Sequence, residues 1–331
     1  MYSLGIDQGG TKTIAIVADD EGHILGKGIG EGACHFFDGM PKAIGAVQKA
    51  ATAALSEAKV AVSDIAAISA GLAGANWPEE IVALETELRA LFPIENIGVY
   101  NDCLIAMRGG TAETHCAVIC AGTGLNVAVR FGEGDPFVFN NYIEDLDQGA
   151  RGLAARALRA VFLSQIGALP STKLTQIALS LFGLENVDQL LLAYQRQQLR
   201  KPIQELSPLL FEAASQSDSV AQNIVREFAL SISRYPIGAI QKQKVQTAEM
   251  DIVLSGGLFK ARGTQWLEII STEIHRVAPN AKVVEAEYEP VVGATLLVLD
   301  SKYHGKIPAL VMQNCRASAK KLNLLRVQSG E

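Results

Sequence analysis

Residues 5–12, GIDQGGTK, follow a strand-like start and precede a second β-branched run at 13–17, so they predict a β-hairpin closed by a glycine turn. The stretch narrowly misses the phosphate-binding P-loop, which requires GxxxxGK, then Ser or Thr, then a helix. Here Thr11 precedes Lys12 and a strand follows. A tight turn remains, whose backbone N–H groups and Thr11 hydroxyl can face an anion. Asp7 beside it is either a Mg²⁺ ligand or the cap of an ordinary turn.

The same pattern restarts in the middle of the chain. Residues 116–140 again read as strand, glycine turn, strand, turn and strand, and the turn is AGTGLN at 121–126. Alternating helices and strands follow each hairpin, which indicates an α/β protein with mixed sheets. This weak internal repeat predicts two lobes, each opening with a glycine-turn hairpin. Two such turns suggest that one phosphate chain is held between them.

A third glycine turn is predicted in residues 253–260, VLSGGLFK, where Gly256 and Gly257 end a buried strand before a helix. Backbone without side chains can lie flat against the ring or ribose of a ligand. The alternative is a close packing turn between strand and helix.

A candidate base ends another strand. Residues 96–102, NIGVYND, read as a short strand with a helix opening at Cys103. Asp102 should therefore project at a cleft rather than into a core. Phosphoryl transfer needs one carboxylate that accepts the proton of the nucleophile. The alternative is that Asp102 caps the helix, and both roles can coexist.

Composition limits the functional classes. The chain has 331 residues, 49% of them hydrophobic, and a net charge of −6, which suits a protein with a large core and argues against a nucleic-acid surface. The start resembles no secretory signal, and no apolar stretch reaches the roughly 18 residues of a membrane span. We therefore expect a cytoplasmic protein with no membrane partner. The five cysteines lack CxxC spacing and are expected to be free thiols.

The order of these pieces resembles the actin-like ATPase superfamily of sugar kinases, actin and heat-shock chaperones. Within it, residues 145–161, DLDQGARGLAARALRAV, and 289–297, EPVVGATLL, are similar to the N-acetylglucosamine kinase and BadF/BadG-type ATPase family. The resemblance covers about residues 1–305. It implies an α/β fold of two actin-like (ribonuclease H-like) lobes with mixed sheets around a central nucleotide and sugar cleft.

Domain boundaries follow from the repeat and the resemblance together. The expected division is a first lobe at 1–115, a second lobe at 116–290, a helix at about 291–314 that returns to the first lobe, and a tail at 315–331. The tail carries Arg316, Lys320, Lys321 and Arg326 and is expected to have little to pack. Closure of the lobes on the sugar is expected about hinges near 112–117 and 288–292.

The roles of the family carry over to matching positions. Asp102 matches the general base. The ATP-binding positions are Gly9, Gly10, Thr11 and Lys12 in the first turn, Gly122 and Thr123 in the second, and Gly256 and Gly257 for the adenosine. Asn126 and Asp147 match residues that hold sugar hydroxyls, and Asn101, Gly124 and His35 are assigned to the same side. With Asp7 as metal ligand, the implied cofactors are ATP and Mg²⁺, the partner is a small sugar, and a homodimer is possible.

Two departures leave the choice of sugar open. Relatives often have Gly-Asp-Glu-Gly where this chain has Leu-Asp-Gln-Gly at 146–149, so a charge beside the sugar pocket is missing. Relatives commonly place a sugar-binding Asn where this chain has GEGACHFFDG at 30–39, with Cys34 and His35. His35 is either a substrate ligand or a loop residue without function.

Three functions remain under comparison. The first is an amino-sugar kinase that makes a 6-phosphate from N-acetylglucosamine or glucosamine. The second is an ATPase activator of a radical or reductase enzyme, which would share an iron–sulfur cluster between subunits and need glycine-flanked cysteines that this chain lacks. The third is a catalytically silent sugar-binding regulator, which the retention of Asp102 and both turns disfavours.

Overall fold

The computed structural model describes residues 1–261 and 265–326, and within them the strands form two five-stranded sheets. The first sheet contains β1 (Tyr2–Gln8), β2 (Lys12–Asp19), β3 (Ile24–Glu31), β4 (Ile65–Leu72) and β5 (Asn96–Asn101). The second contains β6 (His115–Ala121), β7 (Leu125–Phe131), β8 (Phe137–Val138), β9 (Met250–Ser255) and β10 (Ala281–Glu285). Their spatial orders are β3-β2-β1-β4-β5 and β10-β9-β6-β7-β8.

The two sheets share one connectivity. β1 pairs antiparallel with β2 and parallel with β4, and β6 pairs antiparallel with β7 and parallel with β9. A tight turn permits only the antiparallel neighbour, whereas a parallel neighbour requires a longer crossover. The α/β class and the mixed sheets expected from the sequence are therefore confirmed. We call the first sheet with its packed helices the first lobe, and the second sheet with its helices the second lobe.

Helices cover both sheets. They are α1 (His35–Asp38), α2 (Met40–Ala58), α3 (Pro78–Leu91), α4 (Asp102–Gly110), α5 (Gly149–Gln165), α6 (Leu174–Phe182), α7 (Val187–Gln195), α8 (Leu206–Ser215), α9 (Ser219–Gln243), α10 (Trp266–Val277), α11 (Pro290–Tyr303) and α12 (Ala309–Lys321). The sequence predicts the start of α10 at Thr264, which lies outside the described residues. In the part of the chain that the structure describes, no helix has the length and apolarity needed to cross a membrane.

The packing of α11 fixes the helix that carries Asp102. Val291 and Leu296 of α11 are buried in one cluster with Ile14 of β2. On its other side α11 touches α4, where a Cβ added at Gly293 would lie 1.9 Å from the carbonyl oxygen of Ile105. Only glycine permits this backbone contact. Ala106 of α4 is also buried in one cluster with Val118 of the second sheet, so α4 lies between the two lobes. The returning helix thus lies against the first sheet, while the exact lobe boundaries stay a prediction.

The segment after Cys315 does not behave as the sequence suggested. Cys315, Ala319 and Leu324 are buried against the first lobe. The Oγ of Ser318 also accepts a hydrogen bond of 2.9 Å from the backbone N–H of Ile24. The expectation that this tail has little to pack is therefore wrong for residues 315–326, and 327–331 lie outside the described residues. Cys315 and Ala319 are four positions apart, which is the spacing of one helix face. The basic residues next to them in the sequence make this apolar face hard to recognise.

Candidate active site

The first glycine turn joins β1 to β2 and is open on one side. Gly9 donates from its backbone N–H to the carbonyl oxygen of Lys12 at 3.0 Å, and Gly10 and Thr11 are exposed. A Cβ at Gly10 would meet no described atom within 4 Å. On the opposite side Gly32 packs so closely that a Cβ there would lie 2.4 Å from the carbonyl carbon of Thr11. The turn is therefore backed by chain and free to face a ligand.

The second glycine turn has the same construction. Gly122 donates to the carbonyl oxygen of Gly124 at 2.9 Å, while Thr123 is exposed. The start of α5 lies behind it, since a Cβ at Gly149, whose φ is +47°, would lie 2.2 Å from the Gly124 carbonyl oxygen. The Oε1 of Gln148 accepts a hydrogen bond of 3.3 Å from the Leu125 N–H. Gln148, which stands where relatives often have Glu, thus supports this turn by accepting a backbone hydrogen bond. The sequence does not indicate this role.

Two carboxylates face the space beside the first turn. Burial raises the pKa of Asp102 to about 6, although backbone N–H groups of α4 partly oppose the change. Burial, and next the charge of Asp102, raise the pKa of Asp7 to about 7, while Lys12 lowers it. Asp7 and Asp102 lie at the same end of the first sheet, because Gln8 and Asn101 both pair with Leu72 of β4. Such a pair suits a base together with a cation ligand.

The helix cap beside Asp102 is supplied by its neighbour. Asn101 accepts a hydrogen bond of 3.0 Å on Oδ1 from the backbone N–H of Cys103 and is the N-cap of α4. Asn101 rather than Asp102 is thus the N-cap residue, and Asp102 is the first residue of α4. Backbone N–H groups at the helix start also act on the Asp102 carboxylate, which fits the expectation that a catalytic role and a helix-start role coexist.

An asparagine network joins the lobes next to Asp102. Asn126 of β7 donates from Nδ2 to Oδ1 of Asn101 at 3.0 Å and to Oδ1 of Asn140 at 3.2 Å. Asn101 donates in turn to Oδ1 of Asn76 at 2.9 Å, and Asn140 donates to the Asn76 carbonyl oxygen at 3.1 Å. The structure brings Asn101 and Asn126 together as expected. It adds Asn76 and Asn140, which lie in loops where the sequence offers no periodicity.

Asp147 is the predicted sugar ligand that the structure does not bring to this network. It is fully buried, and its Oδ1 accepts from Arg156 at 2.8 Å. Its Oδ2 accepts from Ser231, Arg234 and Tyr235 at 2.8–2.9 Å. With both oxygens in hydrogen bonds, Asp147 ties the turn before α5 to α9. We infer a structural role for Asp147 instead of the predicted contact with a sugar hydroxyl, because an acceptor already satisfied by two cations has little left to offer.

His35 lies in α1, after the third strand, with one unsatisfied nitrogen. Its Nδ1 is buried with no hydrogen-bond partner among the described residues. Its Nε2 lies 3.9 Å from Oε1 of Glu80. Gly74 is next to this ring, since a Cβ there would lie 3.1 Å from the same Nδ1. A buried nitrogen without a partner is costly, so His35 is more than a loop residue and remains a candidate ligand.

The third glycine turn ends β9 against the second turn. Gly256 has φ +103°, and a Cβ there would lie 2.2 Å from the carbonyl oxygen of Ala121, whereas a Cβ at Gly257 would meet nothing within 4 Å among the described residues. Close by, Glu289 forms ion pairs with Lys260 at 3.0 Å and Lys12 at 3.8 Å. Glu289 therefore links the first and third turns. No sequence pattern indicates this link, because Lys12 is far along the chain from Lys260 and Glu289.

Comparison with known proteins places this geometry in a family. The model of the BadF/BadG/BcrA/BcrD ATPase family matches residues 4–298. An N-acetyl-D-glucosamine kinase of Dictyostelium discoideum is 25% identical over 319 residues, covering 90% of this chain and 98% of the relative. An N-acetylmuramic acid/N-acetylglucosamine kinase of Clostridium acetobutylicum is 21% identical over 300 residues, covering 89% and 97%.

Solved structures show the same fold. A candidate N-acetylglucosamine kinase of Chromobacterium violaceum has a TM-score of 0.72 at 20% identity, covering 90% of this chain and 98% of that one. A ROK family glucokinase of Streptomyces griseus, solved with glucose and AMPPNP, has a TM-score of 0.58 at 20% identity, covering 90% and 99%. The predicted actin-like sugar-kinase fold and the enzyme class, an ATP-dependent phosphotransferase, are confirmed. The chain belongs to the BadF/BadG/BcrA/BcrD ATPase family.

Proposed function

We propose that this protein transfers the γ-phosphate of ATP to the 6-hydroxyl of an amino sugar, with N-acetylglucosamine as the preferred acceptor. The observation that carries the proposal is the half-buried carboxylate of Asp102, whose pKa is raised and which directly follows the Asn101 of the asparagine network. Two relatives that align over almost the whole chain are named as kinases of N-acetylglucosamine. Since the family is an ATPase family, the donor follows from membership.

Asp102 acts as the base in this proposal. Its pKa of about 6 leaves it ionised near neutral pH yet basic enough to accept a proton as the hydroxyl attacks. Asn101 and Asn126 lie at the same place and present amide groups suited to sugar hydroxyls. His35, which is half-buried just after β3, is a further ligand for the sugar or its acyl group in this proposal.

The two open turns hold the phosphates. Their exposed backbone at Gly10 and Thr123 offers N–H groups, and Lys12 adds a positive charge. Asp7 fits a Mg²⁺ ion that arrives with ATP, because a carboxylate of raised pKa gains from a nearby cation. That ion would neutralise charge on the transferred phosphoryl group. Gly256 and Gly257 then receive the adenosine.

A substrate survey tests the proposal directly. ADP release is measured with N-acetylglucosamine, glucosamine, N-acetylmuramic acid, N-acetylmannosamine and glucose, each against a reaction without sugar. We expect the largest kcat/KM for N-acetylglucosamine, with a product whose phosphorus couples to the C6 protons in NMR spectra. ADP release that no sugar stimulates would contradict the kinase assignment. A preference for N-acetylmuramic acid would keep the reaction and change the acceptor.

A further inference from the structure

Residues 324–326, which follow α12, pair with the connection between the lobes. The backbone N–H of Arg326 donates to the Glu287 carbonyl oxygen at 2.8 Å, and that of Glu289 donates to the Leu324 carbonyl oxygen at 2.8 Å. Tyr288 and Leu325 form an antiparallel bridge between these bonds. Residues 287–289 lead from the last strand of the second lobe into α11, so this short pairing is made on the crossover itself.

The side chain of Arg326 continues from this pairing into the second lobe. It is 9% exposed. Its Nη1 donates to Oγ of Ser255 at 3.2 Å and its Nη2 donates to the carbonyl oxygen of Gly256 at 2.8 Å. Arginine is almost never this buried without partners, so the position is specific. Arg326 thereby contacts the turn to which the adenosine is assigned.

Its bond to Gly256 has a geometrical consequence. The Gly256 carbonyl and the Gly257 N–H belong to one planar trans peptide, so fixing the first fixes the second on the opposite side. Gly256 has φ +103° and no side chain to hold that conformation. Gly257 borders open space, since a Cβ there would meet no described atom within 4 Å. A guanidinium on the carbonyl side is thus the restraint that keeps this turn in one shape.

Arg326 also contributes charge at the nucleotide end of the cleft. Burial alone would raise the pKa of Glu289, but the hydrogen bond from Lys260 and the charges of Lys12 and Arg326 lower it. Lys260, Lys12 and Arg326 thus act together on Glu289. Cationic side chains gathered in this way can attract a polyphosphate.

We propose that Arg326 is a positioning residue of the nucleotide site, which it completes from the 324–326 segment by holding the Gly256–Gly257 peptide. The inference rests on the proposed function, in that ATP lies against this turn. Ordering the turn before ATP arrives should favour nucleotide binding over sugar binding, because the sugar contacts lie in the asparagine network instead.

The test compares the wild-type protein with Arg326→Ala, Arg326→Lys and Arg316→Ala. Arg316 is the matched control, because it is an exposed arginine of α12. Its Nε donates to Oε1 of Glu287, which belongs to the same crossover, at 2.5 Å. Mg-ADP binding is measured by calorimetry without sugar, and KM is measured separately for ATP and for the sugar. For Arg326→Ala we expect the Kd for Mg-ADP and the KM for ATP to rise about tenfold, because that factor corresponds to the loss of one charge-assisted hydrogen bond. The KM for the sugar should be nearly unchanged.

Arg326→Lys should fall between wild type and Arg326→Ala, because lysine keeps the charge but not the two-pronged donor geometry. Arg316→Ala should bind Mg-ADP as the wild type does. Wild-type affinity for Mg-ADP in both Arg326 variants would overturn the inference, and so would equal rises in the ATP and sugar KM values. If Arg326→Ala melts below the assay temperature, the Lys variant decides by the same criteria. A wild-type protein that binds no nucleotide would instead contradict the proposed function.

Discussion

Asn126 of the second lobe donates a hydrogen bond from Nδ2 to Oδ1 of Asn101 in the first lobe, at 3.0 Å, one residue before Asp102. The bond joins the lobes at the place where a sugar would lie against the base. Its donor and acceptor are side-chain amides, which can exchange partners with hydroxyls when a substrate enters.

We expect Asn126→Ala to raise the KM for the sugar about tenfold, because it removes both a ligand and the link to Asn101. The KM for ATP should change far less. Steady-state kinetics with each substrate varied in turn provides the measurement. Asn223→Ala is the matched control, since Asn223 is exposed on α9 of the same lobe and its Nδ2 donates to Oε1 of the exposed Glu227 at 3.0 Å. A larger effect on ATP than on the sugar would place Asn126 in the wrong half of the cleft.

Asp102→Asn should lower kcat by about 10²–10⁴, the range for loss of general base catalysis, with melting temperature close to that of the wild type. Asp188→Asn is a close control. Asp188 lies in the first turn of α7, which Asn186 caps, just as Asp102 lies in the first turn of α4 behind its asparagine cap. That variant should retain full turnover. Wild-type turnover by Asp102→Asn on the best sugar would show that another group is the base.

The raised pKa of Asp7 predicts an unusual pH dependence of the stability of the protein. Burial and the charge of Asp102 raise its pKa from 3.8 to about 7, so the folded protein holds this proton more tightly than the unfolded chain does. Stability should therefore fall as the pH rises through that interval. In metal-free buffer, Asp7→Asn should be more stable than the wild type at about pH 8, by about 1–3 kcal/mol, and much closer to it at about pH 4.

Thermal or urea unfolding at the two pH values measures this difference. Asp188→Asn again serves as the control, since its exposed carboxylate should give no gain at the higher pH. A stability difference between Asp7→Asn and wild type that is the same at both pH values would show that the Asp7 pKa is not raised.

Asp147→Asn tests the inferred structural role of that residue. It removes the anion of Arg156 and leaves Arg234 paired with Glu144 alone, and the loss of such charge-assisted hydrogen bonds costs about 1–3 kcal/mol. We expect a lower melting temperature with a sugar KM near that of the wild type at temperatures where the variant is folded. Asp145→Asn, an exposed neighbour in the same turn, should change neither quantity. A raised sugar KM with unchanged stability would return Asp147 to the sugar site.

Local sequence determined the parts of the site that depend on backbone alone. The turns at Gly9–Gly10 and Gly122–Thr123 follow from a strand, a glycine turn and a second strand in succession along the chain. Asp102 was found because it ends a short strand before a helix. The sequence also shows that the chain departs from the family pattern at His35. In the described region the Nδ1 of His35 is buried and has no hydrogen-bond partner.

The sequence by itself determined two glycine-turn hairpins, an α/β class and the place of a carboxylate just after a strand, because these follow from neighbours in the chain. Only the tertiary structure decided that Asp147 is saturated by α5 and α9, that Asn76 and Asn140 join the asparagine network, and that Arg326 reaches Gly256. Each of these depends on which oxygen or nitrogen lies within about 3 Å of another after folding. Residues separated by dozens to hundreds of positions acquire that relation only through packing, and neither charge nor periodicity along the chain records it.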